Sequence, residues 1–327
     1  MKYSESMMDE KIHIAVCLDK GYVMPTSVMM FSACVNNQDV DIDFHVLIDD
    51  SVTETEQQDI KETVKQFQGK SISFYSVKDL STIQLPINLE RLPRSAYYRL
   101  FLSVILPSTI EKVLYLDGDI IVRHSLLSLW NTDLANDAVG AVTDAWEGDI
   151  TRYNRLRYLF EKGHFNTGVL LINLKYCREN LIEKKYLSYI NDYPERIVFA
   201  DQDVMNVILQ DNKLTLPIKY NLQTSFLRKI SHFDYWKYEN EFNEAITDPT
   251  IVHFTEEMKP WYNDLPDPHP YRNTFLKYQC QTKWKDCCYD RRSLYMKIRN
   301  GIGNMISKKG IKKQIDSIFL DVPPIDY

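Results

Sequence analysis

The sequence lacks the features that mark membrane-spanning, disulfide-rich and zinc-binding proteins. No apolar run approaches the roughly 20 residues that a membrane-spanning helix needs. The first ten residues hold acidic side chains and no apolar stretch, which argues against a cleaved signal peptide. The six cysteines show no zinc-type spacing, and Cys17 and Cys34 lie in apolar runs, as reduced thiols do in cytoplasmic proteins. We therefore expect a globular, cytoplasmic protein.

The charge of the chain is unevenly distributed. The whole chain carries −6, but residues 283–313 contain ten Lys or Arg against two Asp, a net +8 that leaves −14 for the rest. An acidic body is a poor partner for nucleic acid, whereas a basic tail favours peripheral contact with an anionic membrane surface. The alternative is that the tail docks on the acidic body. We divide the chain into an N-terminal tail (1–10), a main domain (11–279) and a basic, partly helical C-terminal tail (280–327).

Strand and helix patterns alternate through the main domain. Short apolar runs predict strands at 12–18, 44–48 and 72–77, and a capping box at Thr53 and Glu56 begins a helix over 53–67. Later patterns predict strands at 138–143, 168–173 and 213–217, and a helix at 201–210. The order predicts an α/β domain with a mixed, mainly parallel sheet and helices on both faces. In such a sheet, ligands bind beyond the carboxyl ends of the strands.

The most informative segment is the apolar run 113–122, which is interrupted by Asp117, Gly118 and Asp119. It is typical of a buried central strand, in which two unpaired carboxylates would be costly. On an extended backbone, residues two apart point to the same side, so both carboxylates can converge on one metal ion. Gly118 lets another group approach the backbone closely. The alternative interpretation is a solvated turn, since Asp-Gly is common in turns.

Three further segments carry polar residues beside apolar runs. His253 and Lys259 lie in 252–261, which ends Lys-Pro-Trp, Asn166 opens 165–173, and Asp201 and Gln202 lie in 200–206. Together with the Asp-Gly-Asp segment and in this order, they resemble glycosyltransferase family 8 from about residue 11 to 278. This resemblance implies a GT-A fold and a retaining transfer of hexose from a UDP-sugar.

The resemblance implies a metal site and contacts to the nucleotide. Asp117, Asp119 and His253 would hold a divalent ion, and their mixed oxygen and nitrogen donors suit Mn²⁺, with Mg²⁺ a weaker fit. Lys259 would place a positive charge on the diphosphate. Asp19, at the end of the first strand, would hydrogen-bond the uracil ring, although without the other segments a loop-starting Asp would be the favoured interpretation.

The resemblance also implies a sugar pocket, with Arg99 and Asn166 as donor contacts and Asp144, Asp201 and Gln202 closest to the chemistry. Arg99 has an alternative role as an ordinary ion-pair residue on a helix, and Asp201 as a helix N-cap. None of these side chains is an obvious nucleophile. A front-side mechanism, in which the departing phosphate accepts the proton of the acceptor hydroxyl, fits the residues better.

Two positions depart from the family pattern. Gly21 stands where some members have a second polar residue that contacts the base. Glu256 stands where a glycine is common in the His-x-x-Gly-x-x-Lys-Pro-Trp loop. A carboxylate there would repel the diphosphate unless it turned outward or paired with a lysine.

These observations predict a metal-dependent hexosyltransferase that uses UDP-glucose or UDP-galactose to extend a bacterial surface glycan or glycolipid such as the lipopolysaccharide core. One alternative is a phosphohydrolase of the haloacid-dehalogenase type, whose first motif is also Asp-x-Asp after an apolar strand. That motif would have to follow the first strand, whereas three strands precede it here. A second alternative, favoured only by Glu256, is a catalytically silent protein that binds a sugar nucleotide or glycan.

Overall fold

A computed structural model describes residues 11–77, 94–228, 235–263, 268–287 and 289. Its centre is a seven-stranded sheet in the order β3-β2-β1-β4-β7-β6-β8, in which β7 runs antiparallel to both neighbours and all other pairs are parallel. The strands are β1 Ile12–Leu18, β2 Ile42–Ile48, β3 Lys70–Ser76, β4 Lys112–Leu116, β6 Val139–Thr143, β7 Phe165–Asn173 and β8 Lys213–Leu216. The predicted mixed, mainly parallel sheet is confirmed.

A second, three-stranded sheet lies beside the first. It has the order β5-β10-β9, with β5 Ile120–Val122, β9 Leu222–Gln223 and β10 Ile251–His253. The prediction of one continuous strand over 113–122 is therefore wrong. The chain leaves β4 at Leu116, turns, and enters the small sheet as β5. The apolar residues before the turn are buried in the large sheet, and those after it are buried in the small sheet.

Helices cover both faces of the large sheet. The helices are α1 Val23–Val35, α2 Glu54–Lys65, α3 Leu102–Ile105, α4 Leu127–Trp130, α5 Ile150–Leu156, α6 Leu174–Glu179, α7 Ile182–Asp192, α8 Ala200–Ile208, α9 Tyr235–Thr247 and α10 Arg272–Gln279. Because alternate strand residues point to opposite faces, Val16 packs under α1 and α2, whereas Ala15 and Cys17 belong to the core under α7 and α8.

Local predictions hold where the sequence carries its own signal. Thr53 and Glu56 form the reciprocal capping box that begins α2. Cys17 and Cys34 are buried free thiols, and burial raises the pKa of the Cys17 thiol to about 12. Among the described residues, no helix is long and apolar enough to cross a membrane. The N-terminal tail and nearly all of the basic segment fall outside the described ranges, although Lys283 is included and pairs with Asp59 of α2.

Candidate active site

The Asp117–Asp119 turn joins the two sheets at the carboxyl ends of β1 and β4. The Asp117 N–H donates to the carbonyl of Gly168 on β7 at 2.8 Å, while Phe254 N–H, just after β10, donates to the carbonyl of Asp119 at 3.0 Å. One aspartate is thus held by the large sheet and the other by the small sheet. The two carboxylates converge as expected, whereas the alternative of a solvated turn is wrong, because Gly118 and Asp119 are buried.

Three candidate metal ligands meet at this turn. His253 Nε2 lies 3.6 Å from Asp117 Oδ2 and 3.4 Å from Asp119 Oδ1. One donor atom from each residue falls within 4.8 Å of the other two, and this is a donor set of two carboxylate oxygens and an imidazole nitrogen. Such a set suits a divalent transition ion and leaves coordination positions open for a substrate.

Two glycines make room for this cluster. A Cβ on Gly168 would lie 2.0 Å from His253 Cε1 and 2.8 Å from Asp117 Oδ2, and one on Gly118 would lie 2.3 Å from Thr26 Oγ1. Such separations are far shorter than van der Waals contact, so only glycine fits at either position. The close approach predicted for Gly118 is confirmed, and Gly168 leaves the space in which the imidazole and Asp117 meet.

Fixed positive charges balance the two carboxylates. Lys259 Nζ lies 2.6 Å from Asp119 Oδ2, and Arg99 Nη2 lies 2.9 Å from Asp117 Oδ1, which also accepts a 2.8 Å hydrogen bond from the Tyr115 hydroxyl. Burial alone would raise the pKa of Asp119, but the charge and hydrogen bond of the Lys259 ammonium outweigh it and hold that pKa well below the ordinary carboxyl value. Asp119 is therefore ionised at neutral pH.

Arg99 connects this cluster to the start of α8. It lies on a 3-10 helix, Arg94–Phe101, and its Nε is 3.2 Å from Asp201 Oδ2. Burial raises the pKa of Asp201 to about 6, although the Arg99 guanidinium favours the charged form. The N-cap alternative for Asp201 is wrong, because Phe199 is the N-cap and Asp203 accepts the N–H groups of the residues before the helix. Arg99 is an ion-pair residue, and both of its partners belong to the site.

A second group of polar side chains lies around the Gln202 amide. Its Nε2 donates to Asp144 Oδ2 at 3.1 Å, and its Oε1 accepts from Asn166 Nδ2 at 3.2 Å. Asp144 is also paired with Arg152 at 2.9 Å. The Gln202 Nε2 is 3.3 Å from His164 Nε2, and burial lowers the pKa of His164 to about 4, so the ring is neutral and accepts this hydrogen bond. The structure therefore brings Asp144, Asn166 and Gln202 together, as predicted.

Asp19 lies at the rim of the site. Its carboxylate accepts hydrogen bonds from Gly21 N–H at 2.9 Å and from the Ser95 hydroxyl at 3.0 Å. The neighbouring Tyr22 lies against the Asp-Gly-Asp turn, and the charge of Asp119, followed by burial, raises the pKa of its phenol strongly. Tyr22 is a site residue that the sequence analysis missed.

Glu256 is paired with an arginine. Arg228 donates to both Glu256 oxygens, through Nε at 3.0 Å and through Nη2, and the Ser225 hydroxyl donates to Oε1 at 3.2 Å. The condition set from the sequence, outward orientation or pairing with a lysine, is thus met by Arg228 in place of a lysine. Neither Arg228 nor Ser225 has a sequence signal, because both lie far from Glu256 along the chain.

Comparison with known proteins identifies the family of this chain. A sequence model described as glycosyl transferase family 8 matches residues 13–264. General stress protein A of Bacillus subtilis (strain 168) is 30% identical over 280 residues, 84% of this chain and 96% of that protein. Lipopolysaccharide 1,2-glucosyltransferase of Escherichia coli (strain K12) is 30% identical over 258 residues, 77% of this chain and 73% of that protein.

The structural comparison agrees. The crystal structure of galactosyltransferase LgtC, in complex with donor and acceptor sugar analogues, superposes with a TM-score of 0.72 at 26% identity. The match covers 83% of this chain and 96% of LgtC. The fold of the described residues is therefore GT-A.

Proposed function

The chain belongs to glycosyl transferase family 8 and is a hexosyltransferase, and we propose that it transfers glucose or galactose from a UDP-sugar, with Mn²⁺, to a bacterial surface glycan. The family membership replaces the phosphohydrolase alternative. The observation that carries the proposal is the convergence of Asp117, Asp119 and His253 at the carboxyl ends of the strands. The mixed donor set favours Mn²⁺ over Mg²⁺.

The residues around the cluster fit a diphosphate. A UDP-sugar brings negative charge that must increase on the departing UDP, and a bound divalent ion would neutralise part of that charge. Lys259, whose ammonium already lies beside Asp119, would donate to the same phosphates. Asp19 and Tyr22 border the cluster on the β1 side, where Asp19 would accept from the uracil ring. Because Arg228 pairs with Glu256, the carboxylate does not oppose donor binding.

The contacts of Gln202 favour a front-side transfer. Both ends of its amide are already engaged, the nitrogen by Asp144 and His164 and the oxygen by Asn166, so it is a poor candidate for a covalent intermediate. In the proposed step, the acceptor hydroxyl oxygen bonds to the anomeric carbon as the bond to the diphosphate oxygen breaks. The hydroxyl proton passes to that departing oxygen, and attack on the same face retains the configuration.

Asp144, Asp201 and Gln202 have distinct tasks in this proposal. Asp144 holds the sugar hydroxyls, Gln202 fixes Asp144 and Asn166 and excludes water from the anomeric centre, and Asn166 contacts the donor hexose beside them. Asp201 and Arg99 fix the side of the pocket next to Asp117. These side chains therefore align the two reactants. Such alignment lowers the activation free energy by several kcal/mol when the geometry is held rigidly.

The acceptor is proposed from the relatives. Proteins named for lipopolysaccharide glucosyl and galactosyl transfer match 77% and 87% of this chain. We therefore propose a glycan or glycolipid acceptor such as lipopolysaccharide core, used in the cytoplasm. The basic segment 283–313 would bring the enzyme to the inner face of the membrane, and the main domain would span 11–279.

Release of UDP tests the function directly. The protein is incubated with Mn²⁺ and either UDP-glucose or UDP-galactose, and UDP is measured without acceptor, when water replaces the acceptor slowly. We expect slow release from one of the two donors, and none when Asp117 is replaced by Ala. A folded protein that binds UDP yet releases none from any UDP-hexose, even with glycan acceptors, would support the silent binding protein instead.

A further inference from the structure

The orientation of the Asn166 amide is fixed by a backbone donor. Asn166 Oδ1 accepts the Gly168 N–H at 3.0 Å and lies 2.9 Å from Asn221 Nδ2. A backbone N–H can only donate, so the Asn166 atom that faces it must be the carbonyl oxygen. The Asn221 atom that faces the same oxygen must then be its NH₂ group.

The orientation of Asn221 in turn determines which nitrogen of a neutral His253 ring carries the proton. With its NH₂ toward Asn166, Asn221 presents Oδ1 to His253 Nδ1 at 2.9 Å. An amide oxygen only accepts, so Nδ1 must carry a proton, and in the neutral ring the lone pair is then on Nε2. That lone pair is on the nitrogen that lies 3.6 Å from Asp117 and 3.4 Å from Asp119.

The surroundings leave this chain of hydrogen bonds no ready alternative. Asn221 is fully buried, His253 is 3% exposed and Asn166 is 8% exposed, so water does not compete for these contacts. Gly168 lies so close to the ring that a Cβ there would be 2.6 Å from His253 Nδ1. The imidazole is thus held by Asn221 in a space that only glycine at position 168 leaves open.

We propose that Asn221 is a positioning residue that sets the His253 tautomer required for metal binding and ties it to the sugar-binding Asn166. The inference rests on the proposed metal-dependent function. Because Asn166 is shared, the metal cluster and the sugar pocket have a common hydrogen-bonded support. Loss of a side chain that orients a metal ligand typically lowers metal affinity about 10- to 100-fold.

The test replaces Asn221 by Leu, which has a similar size and no hydrogen bonds. Asn37→Leu is the matched control: Asn37 is 3% exposed, donates to the Ala33 carbonyl at 2.9 Å and accepts from Leu126 N–H at 2.7 Å, far from the site. Mn²⁺ affinity of each full-length protein is measured by electron paramagnetic resonance without nucleotide. We expect Asn221→Leu to bind Mn²⁺ about 10- to 100-fold more weakly than wild type, and Asn37→Leu to bind like wild type.

A second readout separates positioning from general destabilisation. Long-range ¹H–¹⁵N spectra of histidine-labelled, metal-free protein report which nitrogen of His253 carries the proton, with the signal assigned by comparison with a His253→Ala variant. We expect the Nδ1–H tautomer in wild type and Asn37→Leu, and its loss in Asn221→Leu. Wild-type Mn²⁺ affinity in Asn221→Leu, or an Nε2–H tautomer in wild type, would overturn the inference while the metal-dependent function stands. Failure of the wild-type protein to bind Mn²⁺ would refute both.

Discussion

Replacing Gly168 by Ala tests the packing of the metal cluster directly. The added Cβ would lie 2.0 Å from His253 Cε1, 2.6 Å from Nδ1 and 2.8 Å from Asp117 Oδ2. Neither neighbour can move freely, because Asn221 holds the imidazole and Arg99 and Tyr115 hold the carboxylate. Overpacking of a buried site costs about 1–3 kcal/mol. If only part of that free energy, about 1.4 kcal/mol, is lost from metal binding, the metal affinity already falls tenfold.

Gly140→Ala is the matched control on the neighbouring strand β6. A Cβ there would meet Leu134 Cδ2 at 3.0 Å and Leu216 Cδ2 at 3.3 Å, both at the ends of flexible side chains. We expect Gly140→Ala to change the free energy of unfolding by less than about 1 kcal/mol and to leave Mn²⁺ affinity unchanged.

The assay combines urea unfolding with Mn²⁺ titration and UDP release. For Gly168→Ala we expect a lower unfolding midpoint at unchanged m-value, at least tenfold weaker Mn²⁺ binding and a matching loss of UDP release. Wild-type Mn²⁺ affinity in Gly168→Ala would refute the reasoning, because it would mean that the three ligands need not meet where Gly168 allows them to.

Three further predictions concern the metal, the nucleotide and the buried carboxyl. Asp119→Ala should abolish UDP release while the fold persists, as should excess EDTA with wild type; full activity in EDTA would exclude the metal site. UDP with Mn²⁺ should raise the melting temperature more than GDP, ADP or CMP with Mn²⁺, and equal shifts would remove the case for a uracil pocket at Asp19. The pKa of Asp201 in the folded protein is raised to about 6 from 3.8. Its ionisation therefore lowers the free energy of unfolding above pH 6 and leaves it unchanged below pH 4. Asp201→Asn should therefore raise the unfolding free energy at pH 7.5 by up to about 3 kcal/mol and leave it unchanged at pH 4; a pH-independent difference would show that burial does not control this group.

A further prediction concerns membrane binding by the basic tail, of which the structure describes only the first residues. Full-length protein should sediment with phosphatidylglycerol vesicles and dissociate in high salt, because each basic residue near the surface contributes about 1 kcal/mol. A chain ending at Asp290 keeps the contact between Asn263 and Tyr289 and should not bind. Equal binding by both chains, or binding by neither, would show that the tail is not a membrane anchor. The Lys283–Asp59 pair is a contact of the kind that a docked tail would make.

The sequence predicts what depends on neighbours along the chain. Period-two and helical patterns locate the strands of the large sheet and the helices α2 and α8. The Thr53–Glu56 capping box begins α2 as expected because all of its hydrogen bonds are local. The break after Leu116 was missed, because a run of apolar residues does not reveal that its two halves are buried in different sheets. The choice between sheets is made by distant partners, more than fifty residues away in β7 and more than a hundred residues away in β10.

The same distinction applies to the site. Asp117, Asp119 and His253 were identifiable because carboxylates beside an apolar strand demand a partner and because the segments resemble a known family. Asn221 and Arg228 have no such signal, since their roles exist only through contacts with His253 and Glu256 in the folded chain. Residues that support ligands are therefore harder to recognise in a single sequence than the ligands themselves.

The turn between β4 and β5 has a mechanical consequence. Asp117 is anchored to the large sheet through Gly168, whereas Asp119 and His253 are anchored to the small sheet. A ligand that binds all three side chains is therefore a cross-link between two hydrogen-bonded layers, and its binding free energy also resists their separation. By the same reciprocity, any change that destabilises the small sheet also lowers the affinity for the ligand. Substrate affinity can thus be changed by packing the substrate never touches.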